Sequence, residues 1–166
     1  MAETIKVAER LGLGLAIVQA RKGIDADAIG HALGIDLKDG PGRIGDANLS
    51  TIGTSPGSWF VMGEQASDDW AERIAVTVRG LASVFDQSSG YCVLSLSGPA
   101  ARTLLQAGAP VDLDPHQFPI GASASTSIAH IVVLLWRTGE DSFDLAFYRS
   151  YRESLEHWLT DAMGAL

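Results

Sequence analysis

Asp112, Asp114 and His116 alternate through GAPVDLDPHQFPIG, Gly108 to Gly121, a spacing that could gather ligands around a divalent metal. The same run is broken by Pro110, Pro115 and Pro119. An Asp-x-Asp-Pro sequence after a helix stop is good turn chemistry, because aspartate oxygens accept from nearby backbone amides. Hard-metal sites usually assemble more carboxylates than this. The expectation is a structural loop and no metal. Gly40, Gly42 and Gly45 in GPGRIG match G-x-G-x-x-G. A dinucleotide site needs those glycines after a strand and opening a helix. Here Pro41 intrudes and a strand follows, so a plain turn is expected. SLSGP only loosely resembles a nucleophile elbow, and Cys92 sits within an apolar strand as a buried thiol. His31 and His157 belong on exposed helix faces, His116 lies in the loop, and His130 interrupts an apolar strand as a buried, satisfied histidine. Arg102 and Arg149 stand at element junctions, with Asp86 or Asp112 as possible partners. No catalytic constellation results.

The elements that position these residues are read from periodicity. LGLAIVQAR is a strand, Asp25 to Leu33 a short helix stopped near Gly34, and KDGPGRIGD a glycine-rich loop. NLSTIGT and SWFVMG form a hairpin turning at Ser55-Pro56-Gly57. Ser67 caps a helix on which Trp70, Ile74 and Val78 share a face, and LASVFDQ is another strand. The second half repeats the order. YCVLSLS is a strand, and SGPAARTLLQAG a helix capped by Ser97 or Gly98, with Ala101, Leu104 and Leu105 buried. After the proline loop come SIAHIVVLLWR, apolar on both parities and so a central strand, and DSFDLAFYR. Ser150 and Glu153 match a capping box opening the last helix, with Leu155, Trp158 and Leu159 on its apolar face.

GIDL (Gly34 to Leu37) and PVDL (Pro110 to Leu113) echo each other after the two short helices. The expected fold is α+β, one compact domain over 1–166 with a pseudo-repeat of about 1–87 and 88–166. Each half is of βαββα type, with largely antiparallel sheets.

Composition bounds the partners. A net charge of −8 argues against nucleic acid and anionic membrane, and favours a basic protein partner. The single cysteine and the lack of a signal-like apolar start in MAETIKVAERLGLG point to the cytoplasm. The run from Ile128 to Trp136 is far short of the roughly 20 residues a membrane helix needs.

SWFVMG, then SVFDQSSGYCVLSLSGPAARTLLQAGAPVDLDPHQFPIG, T-x-x-AH and YRSYRESLEHWL together closely resemble the gamma subunit family of heterotetrameric sarcosine oxidase. The resemblance runs from about Leu49 to the C-terminus. Its fingerprint positions are Gly98, Pro99, Ala101, Arg102, Leu105, Asp112, Leu113, Phe118, Gly121, Thr126, His130, Arg149 and Ser150. It implies a fold like a reduced folate-binding aminomethyltransferase domain, and a structural subunit without an active site. It further implies alpha, beta and delta partner subunits that hold FAD, FMN, NAD, tetrahydrofolate and zinc, none of them bound by this chain. The implied complex oxidatively demethylates sarcosine to glycine with tetrahydrofolate as one-carbon acceptor. The alternative is a stand-alone folate-binding protein whose pocket would draw on Arg102, Asp112 and His130. A homodimer of the isolated chain is a third expectation.

Overall fold

The computed structural model describes residues 5–166. It is α+β, with two five-stranded sheets in which every pairing is antiparallel. In chain order the elements are β1 (Lys6–Glu9), β2 (Gly14–Ala20), α1 (Ala26–Leu33), β3 (Arg43–Gly45), β4 (Ser50–Ser55), β5 (Ser58–Gly63), α2 (Trp70–Thr77) and β6 (Ala82–Asp86). Then follow β7 (Tyr91–Ser97), α3 (Ala101–Gly108), β8 (Ser123–Ile128), β9 (Ile131–Gly139), β10 (Ser142–Tyr148) and α4 (Arg152–Gly164). The chain divides into two compact units. One comprises Gly12–Ser89; the other joins residues up to Leu11 to Gly90–Leu166.

In the Gly12–Ser89 unit the sheet order is β3-β4-β5-β2-β6, and in the other it is β8-β9-β10-β7-β1. The two orders correspond strand by strand. β6, which follows α2, has its counterpart in β1, which comes from the start of the chain. The repeat is therefore βαβββαβ rather than βαββα, and its division falls between Ser89 and Gly90. Residues near the N-terminus belong with the second repeat.

Local chemistry explains most of the helices. Asp25 accepts from the Ala28 amide at 2.9 Å and caps α1, and Gly34, at φ 72°, ends it. The expected capping box on the last helix does not form. Arg149–Tyr151 makes a single 3-10 turn, and α4 starts at Arg152 without a side-chain cap. Ser67 likewise caps no amide of α2; its hydroxyl donates to Asp69 at 2.5 Å and accepts from Arg73 at 2.7 Å. α3 starts at Ala101, three residues past Gly98, also without a side-chain cap.

Each unit has its own core. Trp59, Val61, Ile29, Trp70 and Val78 fill one, with the Trp59 indole donating to the Lys38 carbonyl at 2.8 Å. Trp70 lies over the paired glycines Gly14 and Gly63; a Cβ at Gly63 would stand 2.6 Å from its Nε1. Leu94, Leu96, Leu104, Leu145 and Leu159 fill the other. The GIDL and PVDL echo has a physical content: Leu37 and Leu113, each the last residue of its motif, are both buried, one in each core.

Leu37→Ala and Leu113→Ala should each lower the unfolding free energy by about 3 kcal/mol. Urea denaturation of the two variants checks this, and a loss under about 1 kcal/mol at either site would deny that the motif leucines are matched core plugs.

Candidate functional site

Asp112, Asp114 and His116 lie exposed in the loop between α3 and β8. Asp112 Oδ1 accepts from the Asp114 amide at 2.9 Å, and Asp114 Oδ1 accepts from the His116 amide at 2.9 Å. The alternation is thus two successive aspartate turns, with Leu113 and Phe118 buried beneath them. Among the described residues no three His, Cys, Asp or Glu side chains are grouped to hold a metal. The GPGRIG run is a turn entering a strand: Gly40, Gly42 and Gly45 all have positive φ, and β3 follows at Arg43. The backbone there packs onto Gly53, where an added Cβ would stand 2.7 Å from the Gly40 carbonyl carbon.

His130 is not buried in a strand. SIAHIVVLLWR contains a hairpin turn, with Ala129 at φ 49° and His130 at φ 66° between β8 and β9, and both residues are exposed. Two left-handed residues in succession make the mirror-image turn whose twist suits a two-residue hairpin. His130 borders a depression of about 500 Å³, together with Gln106, Gly108, Pro110, Ser127 and Trp158. Arg102 is exposed on α3, and neither it nor Asp112 lines this depression. The three candidate residues do not converge there. A second depression, of about 460 Å³, lies in the Gly12–Ser89 unit beside Trp70, Glu64 and Arg73.

The most connected charged cluster was not visible in the sequence. Glu9, at the end of β1, accepts from Arg149 Nη1 at 3.2 Å, from Arg152 Nη1 at 2.5 Å and from the Cys92 thiol at 3.4 Å. Arg149 also donates to the Tyr91 carbonyl at 3.0 Å. Its structural role is as expected, but its partner is Glu9 rather than Asp86 or Asp112. Beside it, Arg10 pairs with the buried Asp144 at 2.8 Å, and Asp144 also accepts from Ser95. Burial opposes charge on Glu9, yet Arg149, the thiol and Arg152 together hold its pKa below the ordinary value of 4.5. Burial first, and then the facing Glu9, push the Cys92 thiol up to about 11, so it stays protonated at neutral pH. Burial, with Tyr148 alongside at a ring separation of 4.7 Å, likewise raises the Tyr91 phenol.

Arg137 is the other missed residue. Nearly buried, it donates to the carbonyls of Phe118, Gly139 and Glu140 at 3.1, 3.0 and 2.7 Å, tying the proline loop to the β9–β10 turn. Its position inside an apolar strand was the only available signal.

A carboxylate whose pKa is lowered by folding contributes stability above its unfolded pKa, and that contribution disappears as the pH falls through the folded value. The stability advantage of the native chain over Glu9→Gln should therefore be constant from neutral pH down to about 5, and shrink at lower pH. Urea unfolding of both proteins across that range checks it; a difference independent of pH would rule out the charged clamp.

A model of the sarcosine oxidase gamma subunit family matches residues 19–165. Sarcosine oxidase subunit gamma from Corynebacterium sp. (strain P-1) is 36% identical over 141 residues, covering 82% of this chain and 68% of that protein. The Arthrobacter sp subunit gamma is 35% identical over 138 residues, with the same coverages of 82% and 68%. A chain of the heterotetrameric sarcosine oxidase from Corynebacterium sp. U-96, solved in complex with pyrrole 2-carboxylate, superposes with a TM-score of 0.89 at 29% identity. That match covers 99% of this chain and 86% of the other. The glycine cleavage system aminomethyltransferase T from Bartonella henselae superposes at 0.70 with 15% identity, over 95% of this chain and 45% of that one, which is a likeness of fold. The matched residues, the identity to these gamma subunits and the shared architecture lead to one conclusion: the chain belongs to the sarcosine oxidase gamma subunit family.

Proposed function

We propose that this chain is the structural, non-catalytic gamma subunit of a heterotetrameric sarcosine oxidase-type complex. The observation that carries this reading is the superposition, over 99% of the chain, on a chain of a heterotetrameric sarcosine oxidase. The side chains support it. Asp112 and Asp114 are engaged with backbone amides, and Glu9, Arg149 and Arg152 with one another. Cys92 is buried and protonated.

In this reading the chemistry takes place on alpha, beta and delta partner subunits. They carry FAD, FMN, NAD, tetrahydrofolate and zinc, and convert sarcosine to glycine with tetrahydrofolate as one-carbon acceptor. This chain supplies a fixed surface against which they are positioned. Apolar anchors would provide the binding energy, and its net charge of −8 would tune the encounter. No described helix is long and apolar enough to cross a membrane. The cytoplasm, expected from the single cysteine, is the location that suits this role. The folate-binding alternative needs Arg102, Asp112 and His130 around one slot, and the depression beside His130 is lined by neither Arg102 nor Asp112.

Purification of the chain under native conditions from the cells that make it should bring down partners with a flavin absorption spectrum, at a mass well above 17.5 kDa. Recovery of the chain alone, with no flavoprotein, would contradict the proposal.

A further inference from the structure

We infer that the exposed cations Arg21, Lys22 and Arg79 form a docking site for an acidic segment of a partner subunit. This rests on the subunit reading above and names the part of the Gly12–Ser89 unit that such a partner would meet. Most basic side chains of the protein are already engaged. Arg10, Lys38, Arg73, Arg149 and Arg152 are in ion pairs, and Arg43 and Arg137 donate to backbone carbonyls. Among the described residues, Lys6, Arg21, Lys22, Arg79 and Arg102 have no such partner. Lys6 and Arg102 stand apart in the other unit, on β1 and α3. The fold brings the remaining three together.

They meet because β2 ends beside the start of β6. Ala20 is paired with Ala82, and the Arg21 amide donates to the Leu81 carbonyl at 2.9 Å. Two turns of one form lie side by side there. The Ile24 amide donates to the Arg21 carbonyl at 3.0 Å, closing a turn around Lys22 and Gly23. The Leu81 amide donates to the Val78 carbonyl at 2.9 Å, closing another around Arg79 and Gly80. In each, a cation is followed by a left-handed glycine, at φ 82° and 81°. Two steps of about 3.8 Å put Arg79 within about 8 Å of Leu81. A Cβ added at Gly23 or Gly80 would meet nothing within 4 Å, so both turn tips stand in open space. Val76, 54% exposed, lies three residues before Arg79 and accepts its amide at 3.3 Å.

Local charge selects the occupant. The Asp25 carboxylate is taken by the Ala28 amide, and Asp27 acts on Lys38. Glu72 lies a turn of α2 before Val76, and Asp86 is at the far end of β6. None of the four forms an ion pair with the three cations. Charges are screened beyond about 8 Å at physiological ionic strength, so these cations, and not the net charge of −8, decide what docks here. Guanidinium groups take carboxylates bidentately, and an apolar contact such as Val76 helps to exclude water around them. Nucleic acid would need roughly 6 to 10 phosphate contacts, and a small anion a concave site. Cations on two exposed turn tips suit the carboxylates of a protein segment.

The test is carbodiimide coupling, which joins an amine only to a carboxylate in contact with it, applied to the purified oxidase assembly and read by mass spectrometry. Lys22 should be joined to an Asp or Glu of another subunit. Arg79→Glu should lower recovery of this chain in the assembly about tenfold, and Arg102→Glu, with the same change in net charge, less than about twofold. Both positions are exposed, so each isolated variant should keep the native unfolding midpoint. If Arg79→Glu fails to fold, the Lys22 coupling decides alone. Lys22 left uncoupled, or an equal loss for the two variants, would overturn the inference and leave the subunit reading standing. Coupling of Lys22 to a second copy of this chain would overturn it in favour of a dimer contact. Failure to find any flavoprotein assembly would remove both.

Discussion

The pairing of β1 with β7 is the constraint on which the C-terminal unit depends. Each repeat buries its core with five strands and two helices, and in the Gly12–Ser89 unit the strand after the second helix takes the place beside β2. In the other unit the corresponding place beside β7 is taken by β1, from the start of the chain. Four residues of strand offer few ladder bonds, so the attachment is reinforced by charge. Glu9 is gripped by Arg149 and Arg152 where α4 begins, and Arg10 by Asp144 on β10. Asp144 is almost fully buried and doubly bonded, the arrangement in which an ion pair is costly to break. The polar groups that look most like a site by density of charge are the ones that fasten this strand.

The conspicuous residues have structural partners of the same kind. Arg149 stands at a strand-to-helix junction because it must reach Glu9 and the Tyr91 carbonyl together. Burial, and then the same carboxylate facing it, keep the Cys92 thiol protonated rather than activating it. Arg137 is placed within an apolar strand because three carbonyls from two loops meet there. The aspartates of the proline loop hold its own amides. Such an economy fits a scaffold.

Much of the architecture was legible in local sequence. The helix expected over Asp25 to Leu33 with its stop at Gly34 is α1, Pro56-Gly57 turns the β4–β5 hairpin, and DSFDLAFYR contains β10. The repeated Leu37 and Leu113 revealed the duplication. What escaped has physical reasons. β1 alternates only weakly between exposed and half-buried, and its partner lies more than eighty residues away. β8 is Ser, Ala and Thr up to its last residue, Ile128, and such small side chains leave no hydrophobic alternation. Its turn uses Ala-His where Asn-Gly would announce a hairpin, so His130 passed for a buried strand residue. The capping box at Ser150 failed because Arg149–Tyr151 turns as a 3-10 segment while Arg149 reaches Glu9. Of the three residues weighed for a folate pocket, spacing fixed neither their distances nor their directions.

The central claim is that these side chains hold a scaffold while reaction chemistry belongs to other subunits. It is tested most directly by the turnover of the complete oxidase containing this chain with Arg102→Gln, Asp112→Asn and His130→Gln together, measured on the fraction whose assembly is intact. The account predicts a kcat equal to that of the native complex. A fall of about tenfold or more in an intact assembly would contradict it.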